Sequence, residues 1–132
     1  MLFHTMVGSN DIERSRRFYD EVLGVLGVGE AMLNMADSGH ARLFYRNENG
    51  THFIVSQPIN DEPASVANGS TVAFSCNSPE QVKQFHDVAV AAGGTSIEAA
   101  PGPRRTASMG TVELAYFRDP DGNKLCGIHF PN

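Results

Sequence analysis

Residues 46–50, Arg-Asn-Glu-Asn-Gly, are matched by residues 118–122, Arg-Asp-Pro-Asp-Gly, at an offset of 72 residues. Each of these polar turns lies between two apolar, strand-like stretches, as in a β-hairpin. Upstream, residues 18–20 (Phe-Tyr-Asp) correspond to residues 85–87 (Phe-His-Asp) at an offset of 67 residues, and the second copy's five extra residues fit a longer loop. The sequence therefore predicts an internal duplication.

The first copy predicts a strand, a helix and three further strands. Residues 2–8 are short and apolar, and Asn10 with Glu13 three residues later has the form of a helix-starting capping box. Residues 29–37, 40–47 and 51–57 predict the three strands. Helical spacing predicts a buried helix face with an arginine stem at its edge: Ile12, Arg16, Tyr19, Val22, Leu23 and Leu26.

The second copy repeats this order after a polar, proline-containing linker at residues 58–68. A strand at 70–77 precedes a helix that Ser78 caps, with Pro79 at its first position and Gln81 completing a capping box. A short strand at 95–98 leads into a loop at 99–110, which is rich in proline, glycine and arginine. Strands at 112–118 and 124–130 complete the copy.

Composition excludes several classes of partner. The 132 residues carry a formal charge of −5, with a pI near 5.4 and only two lysines, Lys83 and Lys124. A nucleic-acid-binding chain needs a basic stripe, which is absent from this sequence. No apolar run approaches the ~20 residues of a membrane span, and the N-terminus has no signal-peptide pattern. We therefore expect neither nucleic acid nor membrane as a partner.

The cysteine count bears on the cellular compartment. Cys76 and Cys126 are the two cysteines, and both lie in apolar, strand-like runs. Two such thiols without a disulfide framework indicate a reducing, cytoplasmic environment. We expect both to be buried and reduced.

Together these patterns predict an α+β fold of two βαβββ modules in a single domain, residues 1–132. Module 1 covers about residues 1–57, the linker about 58–68 and module 2 about 69–132. Two such modules can pair their sheets into a curved, incomplete barrel. The concave face of that barrel would be a ligand cavity.

The order of these stretches resembles the vicinal-oxygen-chelate superfamily, which contains glyoxalases, bleomycin-resistance proteins and extradiol dioxygenases. The resemblance covers nearly the whole chain. It rests on the strand with His4, the helix at 11–24, the strand at 69–74, the Pro-Gly-Pro-Arg at 101–104 and the ending at 119–125.

The resemblance implies a site inside the cup, where metal-dependent members take one ligand from the first and one from the last strand of each module. The metal chelates two neighbouring oxygens of the substrate and stabilises the charge that develops on them. Here the four positions hold His4, Ile54, Thr71 and Cys126, with the register near Ile54 open by a residue or two. Only His4 is a good ligand for a divalent metal, whereas a catalytic zinc needs about three protein ligands.

A softer metal site remains as an alternative. His52 lies two residues before Ile54, so it points to the same sheet face. His4, His52 and Cys126 are therefore the weak candidates for a divalent metal, which is possible but disfavoured. Without a metal, His4 is either a general base or a satisfied histidine inside the cup, and Cys126 paired with it is a candidate nucleophile.

Further residues are candidates for binding a substrate in the cup. Arg104 matches the family's Pro-Gly-x-Arg, and a guanidinium there could hold a carboxylate or phosphate. Thr71 and Ile54 occupy ligand positions, and Phe44 and Tyr116 are strand aromatics that would line the cup. Other polar groups are expected to be structural or to point away from the cup: His86, His129 and the carboxylates of the 119–123 turn.

Three functions remain open at this stage. The first is a metal-free protein that binds a small organic molecule in the cup. The second is an enzyme of the same superfamily, a metal-dependent lyase, isomerase or dioxygenase that resembles lactoylglutathione lyase. The third is a non-catalytic interaction domain. The resemblance also implies a homodimer, with or without exchange of modules between chains.

Overall fold

The computed structural model describes residues 1–131 and contains eight strands and two helices. In chain order these are β1 (His4–Gly8), α1 (Ile12–Gly24), β2 (Met32–Met35), β3 (Ala41–Arg46), β4 (His52–Ser56), β5 (Val72–Ser75), α2 (Pro79–Ala91), β6 (Thr95–Thr106), β7 (Gly110–Arg118) and β8 (Lys124–His129). The predicted α+β fold of two βαβββ modules is confirmed. The strands before β6 are shorter than predicted.

Each module forms its own four-stranded sheet, in the orders β1-β4-β3-β2 and β5-β8-β7-β6. The first and last strands of each module pair in parallel, whereas the other neighbours are antiparallel. Within residues 1–131 no ladder joins the two sheets, and they do not close into a barrel.

The register of the ladders reproduces the duplication residue by residue. Met6 faces Ile54 across the parallel pair of module 1, and Ala73 faces Cys126 across that of module 2. These pairs correspond through the offsets of 67 and 72 residues. Gly50 and Gly122 match at the hairpin turns, where both adopt positive φ, 88° and 94°. The sequence alignment of the two copies therefore holds in three dimensions.

The start of α1 differs from the prediction by one residue. Asp11, not Asn10, is the N-cap, and its side chain accepts a hydrogen bond from the Arg14 backbone N–H. Asn10 instead bonds both backbone groups of Ala64, which fastens the linker to the start of the helix. Either residue type can cap a helix, so the sequence pattern alone fixed this boundary only to within one position.

The predicted cap of α2 is confirmed. The Ser78 side chain accepts from the Gln81 backbone N–H at 3.0 Å, and Pro79 is the first residue of the helix. The Gln81 side-chain oxygen accepts from the Asn77 backbone N–H at 2.7 Å, one residue upstream of the position in a strict capping box.

The predicted loop at 99–110 is wrong over most of its length, because residues 95–106 form the single strand β6. Its register against β7 shifts between Ile97 and Gly102, which indicates a bulge, and Glu98 lies there with φ of 59°. Proline is tolerated because β6 is an edge strand, where a missing N–H leaves no central ladder bond unmade.

The two modules share one hydrophobic core. Phe18 of α1 and Phe85 of α2, which correspond in the duplication, are both fully buried. Neighbouring aromatic rings connect the halves, with Phe53 of module 1 and Phe74 of module 2 having centroids 5.2 Å apart. Alternation along the strands means that the opposite face of each sheet points away from this core. We call these two surfaces the bare faces. That of module 1 carries His4, Met6, Phe44, His52 and Ile54, and that of module 2 carries Ala73, Tyr116, Lys124 and Cys126.

A hydrogen-bonded clamp fastens the turn at 119–123 to α1. Tyr19 donates its hydroxyl proton to Asp119 at 2.5 Å, and Arg14 forms an ion pair with Asp121 at 2.8 Å. Asp121 also accepts hydrogen bonds from Ser15 and from the Asn10 backbone N–H. The expectation that this turn exists for its backbone was therefore incomplete, since its carboxylates join module 2 to module 1.

Of residues 1–131, none belongs to a helix with the length and apolar character that crossing a membrane requires.

Candidate functional site

The predicted site residues of module 1 share its bare face. His4 begins β1 and lies directly opposite His52 on β4, and Ile54 lies between Met6 and Phe44 on its two neighbouring strands. Ladder partners point to the same side of a sheet, so these side chains form one surface. Ile54 is only 4% exposed, whereas His4 is exposed.

The ladder register gives the strand partners of the residues around Ile54. His52 is the direct partner of His4, so the two imidazoles are lateral neighbours at one end of the bare face. The ring of Phe3 lies 5.1 Å from that of His52, centroid to centroid. Among the described residues, His52 Nδ1 is buried and has no hydrogen-bond partner. Arg46 on β3 is the other ladder partner of His52, so a charged residue that the sequence analysis missed lies beside this pair.

The predicted residues of module 2 occupy the equivalent bare face. Cys126 on β8 lies between Ala73 on β5 and Tyr116 on β7. Thr71 immediately precedes β5 and is exposed. Burial raises the pKa of the Cys126 thiol to about 11, although a hydrogen bond with Tyr116 opposes the rise. Cys126 is therefore a protonated thiol near neutral pH, which makes it a poor nucleophile in this state.

Two charged residues on this face were missed by the sequence analysis. Lys124 forms an ion pair with Glu98 at 2.5 Å, and its ammonium lies 4.8 Å from the centre of the Tyr116 ring. Lys124 shares its strand parity with Cys126, two residues away, so the sequence held that signal. Glu98 reaches the site only because of the bulge in β6, for which there was no sequence signal.

Arg104 is placed differently from the expectation. It lies within β6, and its guanidinium donates to the carbonyl oxygens of four residues of the bulge and its flank. The shortest of these bonds, to Ala100, is 2.9 Å. Two of these carbonyls, of Ala99 and Ala100, lie where the register between β6 and β7 shifts, so the side chain provides a partner for bulge carbonyls. Arg105, its neighbour, is exposed.

His86 and His129 lie away from the bare faces. His86 is 8% exposed and bonds Ser96 at 2.7 Å and Asp87 at 2.9 Å. His129 Nδ1 is 3.0 Å from the carbonyl oxygen of Cys76. Both are held by structural hydrogen bonds.

The donor set of a single chain does not fit the metal of the metal-dependent members. Within residues 1–131 no three side chains of the types His, Cys, Asp and Glu converge on one point. His4 and His52 belong to one sheet and Cys126 to the other. Ile54 offers no donor atom, and a thiol with a pKa near 11 binds a metal only after an unfavourable deprotonation.

A cavity borders the two bare faces at His52 and Ala73 without coinciding with either. It measures about 530 Å³ and lies between the Asn47–Thr51 turn, strand β5 and the start of α2. Of the residues predicted for the cup, His52 borders it, whereas Ile54, Phe44, Tyr116 and Cys126 do not.

Comparison with known proteins identifies the family of this chain. The family model described as "Glyoxalase/Bleomycin resistance protein/Dioxygenase superfamily" matches residues 1–126. Comparison with curated proteins gives no match.

Solved structures resemble the chain over nearly its full length. A glyoxalase/bleomycin resistance protein from Albidiferax ferrireducens T118 is 47% identical, with a TM-score of 0.89 and 98% of both chains covered. A glyoxalase-related enzyme from Fulvimarina pelagi is 20% identical, with a TM-score of 0.69 and coverage of 98% of this chain and 87% of that one. Glyoxalase I from Zea mays is 21% identical, with a TM-score of 0.69, and the match covers 96% of this chain and 45% of the maize chain. The last two similarities concern the fold alone. The chain therefore belongs to the glyoxalase, bleomycin resistance protein and dioxygenase superfamily.

Proposed function

We propose that this protein binds a small organic molecule in a cup built from its two bare faces, without the tightly bound metal of the metal-dependent members. The observation that carries the proposal is the chemistry of the four ligand positions. They hold His4, Ile54, Thr71 and Cys126, of which Ile54 is a buried aliphatic residue and Cys126 a protonated thiol. A cup of this composition favours hydrogen bonding and apolar contact over coordination.

The cup requires a second copy of the chain. The bare faces of one chain lie on separate sheets, each on the side away from the shared core. A two-fold dimer would place the bare face of module 1 against the bare face of the partner's module 2, twice. Exposed methionines on module 1 support this arrangement, since Met6 is 44% exposed and Met32 71%. We accordingly propose a homodimer.

Residues on both faces would contact the ligand. His4 is proposed to act on it as a general base or hydrogen-bond donor, since a neutral imidazole has one nitrogen that accepts and one that donates. Tyr116 and Phe44 would supply aromatic contact. Lys124, which lies beside the Cys126 thiol, would interact with a partial negative charge on the ligand. Arg104 is not included among the proposed ligand-binding residues, because its guanidinium already donates to backbone carbonyls of the β6 bulge. It could bind a ligand only if that bulge rearranged.

A metal-dependent lyase, isomerase or dioxygenase is the second candidate. The lateral pair of His4 and His52 favours it, because two imidazoles on one face are a partial ligand set for zinc or nickel. A partner's Cys126 would have to complete that set across the cup. We infer a cytoplasmic location from the two free, buried cysteines.

Metal titration separates the two candidates. Chelator-treated protein would be titrated with Ni²⁺, Zn²⁺, Fe²⁺ and Mn²⁺ while the thermal midpoint is followed, because a ligand of the folded state raises it. The metal-free proposal expects no stoichiometric binding and no shift of the midpoint. One equivalent bound per chain, lost in both His4→Ala and His52→Ala but retained in His86→Ala, would establish the metal-dependent candidate instead.

A further inference from the structure

The cavity of about 530 Å³, which borders the bare faces at His52 and Ala73, has an equivalent position in the other half of the duplicated fold. It opens between the turn of module 1 and the start of α2, the helix of module 2. The clamp that fastens the 119–123 turn to α1 is the reverse pair, the turn of module 2 on the helix of module 1. The cavity and the clamp are therefore the same interface in the two halves of the duplication.

The residue correspondences explain why one interface is closed and the other open. At the clamp, Asp121 pairs with Arg14 and accepts from the Asn10 backbone. The offset of 72 residues places Asn49 at the position of Asp121, and the offset of 67 places Gln81 at that of Arg14. An ion pair in one half thus becomes two neutral amides in the other.

These amides do not bridge the gap. Asn49 Oδ1 accepts from the Thr51 backbone N–H within its own turn. Gln81 is engaged by the Asn77 backbone and by the carbonyl of Val25. The turns themselves are alike, with Gly50 and Gly122 in the same left-handed conformation. The side chains at this interface therefore differ from those of the clamp, while the glycine conformation of the turn is kept.

The lining of the cavity defines the chemistry of a ligand. One wall is aromatic and aliphatic, with Tyr45, Phe53 and Phe74 as its rings. The rim carries carboxamides. The oxygens of Asn47 and Asn49 accept hydrogen bonds within the turn, which leaves their NH₂ groups to donate to a ligand. Among the described residues that line it there is no Asp, Glu, Lys or Arg, and His52 is the one imidazole. A charged ligand would therefore lose hydration without gaining a permanently charged partner.

We propose that this cavity is a second binding site, separate from the cup, for a neutral aromatic molecule that carries a carboxamide or similar hydrogen-bonding group. The ring stacks in the apolar wall while the polar group meets the amides of the rim. Recognition rests on shape and neutral hydrogen bonds, and charge on the ligand opposes it.

An isosteric series of probes tests the proposal. Benzamide, benzoate and benzamidine have nearly the same shape but are neutral, anionic and cationic at pH 7. We expect benzamide to shift the amide resonances of residues 47–51 and 74–81 in a saturable manner, with a Kd on the order of 1–10 mM for so small a ligand. Benzoate and benzamidine should bind at least about tenfold more weakly.

A symmetrising double variant provides the structural control. Asn49→Asp with Gln81→Arg restores at this interface the ion pair that closes its counterpart, and it should abolish the benzamide response. Asn60→Asp with Gln84→Arg adds the same charges at exposed positions outside the cavity and should leave the response unchanged. Asn49→Ala, at an exposed turn, is the simpler second variant and should weaken binding severalfold.

Three outcomes overturn the proposal. One is the absence of saturable shifts up to about 20 mM benzamide, in whatever oligomeric state the chain adopts. Another is binding of benzoate or benzamidine as tight as that of benzamide. The third is a benzamide response centred on His4 and Cys126, which would assign the probe to the cup and leave the cavity without a ligand.

Discussion

At the scale of single residues, alternation along the strands was the most informative signal. It placed His52 on the face of Ile54, and the ladder then set it directly opposite His4. The same parity applied to β8 would have found Lys124 beside Cys126. Glu98 could not be found in this way, because its position depends on a bulge that breaks the alternation.

The bond between Tyr19 and Asp119 should be a large single contribution to stability. Both residues are buried, and Tyr19→Phe leaves the carboxylate without its hydroxyl donor. We expect the free energy of unfolding to fall by about 1–3 kcal/mol, measured by urea denaturation. Tyr45→Phe is the matched comparison, since its partner Asp20 is partly exposed, and it should cost less. Equal losses would remove the special role of the clamp.

The two thiols should titrate far above neutrality in the folded protein. Burial raises the pKa of Cys76 and of Cys126 from 9.0 to about 11. Because the pKa is higher in the folded than in the unfolded state, the protonated thiols contribute fully to stability below pH 9. This contribution is lost as the pH rises through 11. The rate of iodoacetamide alkylation, followed by mass spectrometry, should therefore rise with a midpoint near 11 when folded and near 9 in guanidinium. A folded midpoint at 9 or below would contradict the burial argument.

At the scale of elements, capping and turn patterns predicted the helices well and β6 poorly. Ser78 with Pro79 marks the start of α2 as predicted, because the cap is a local bond. The prolines and glycine of residues 101–103 have the composition of a loop. They lie in a strand because an edge position leaves room for missing ladder bonds, and being at the edge is a property of the whole sheet.

The hydrogen bonds of Arg104 should stabilise the bulge in β6. It donates to Ala99, Ala100, Gly102 and Pro103, so Arg104→Ala leaves those carbonyls to water. We expect hydrogen exchange across residues 97–106 to accelerate by about tenfold, while α1 and α2 are unchanged. Arg105→Ala, at the adjacent exposed position, is the control. Unchanged exchange in Arg104→Ala would return this guanidinium to the set of substrate-binding candidates.

At the scale of the whole molecule, the proposed cup makes a prediction about assembly. Its residues lie on two bare faces that one chain does not bring together. A charge placed on the apolar part of such a face should oppose association, because it would be buried without a partner.

Met6→Asp and Met32→Asp should therefore convert a dimer into a monomer, as judged by sedimentation velocity. Met109→Asp introduces the same change at an exposed methionine of the β6–β7 turn, 54% exposed, and should leave the dimer intact. If all three variants keep the wild-type assembly, or if the wild type is a monomer, the cup between two copies is not formed in this way.

The sequence by itself determined the duplication, the βαβββ order of both modules, most of the buried helix positions and the shared sheet face of His52 and Ile54. These are local or periodic properties, in which a residue's environment follows from its position in a helix or strand. Three features were decided only by the tertiary structure. The bulge in β6 brings Glu98 to Lys124, and the Arg104 guanidinium donates to backbone carbonyls. One turn–helix interface is closed by an ion pair, whereas the equivalent interface contains a cavity. Each of these depends on contacts between residues distant in sequence, whose geometry is set by the packing of the two modules on one core.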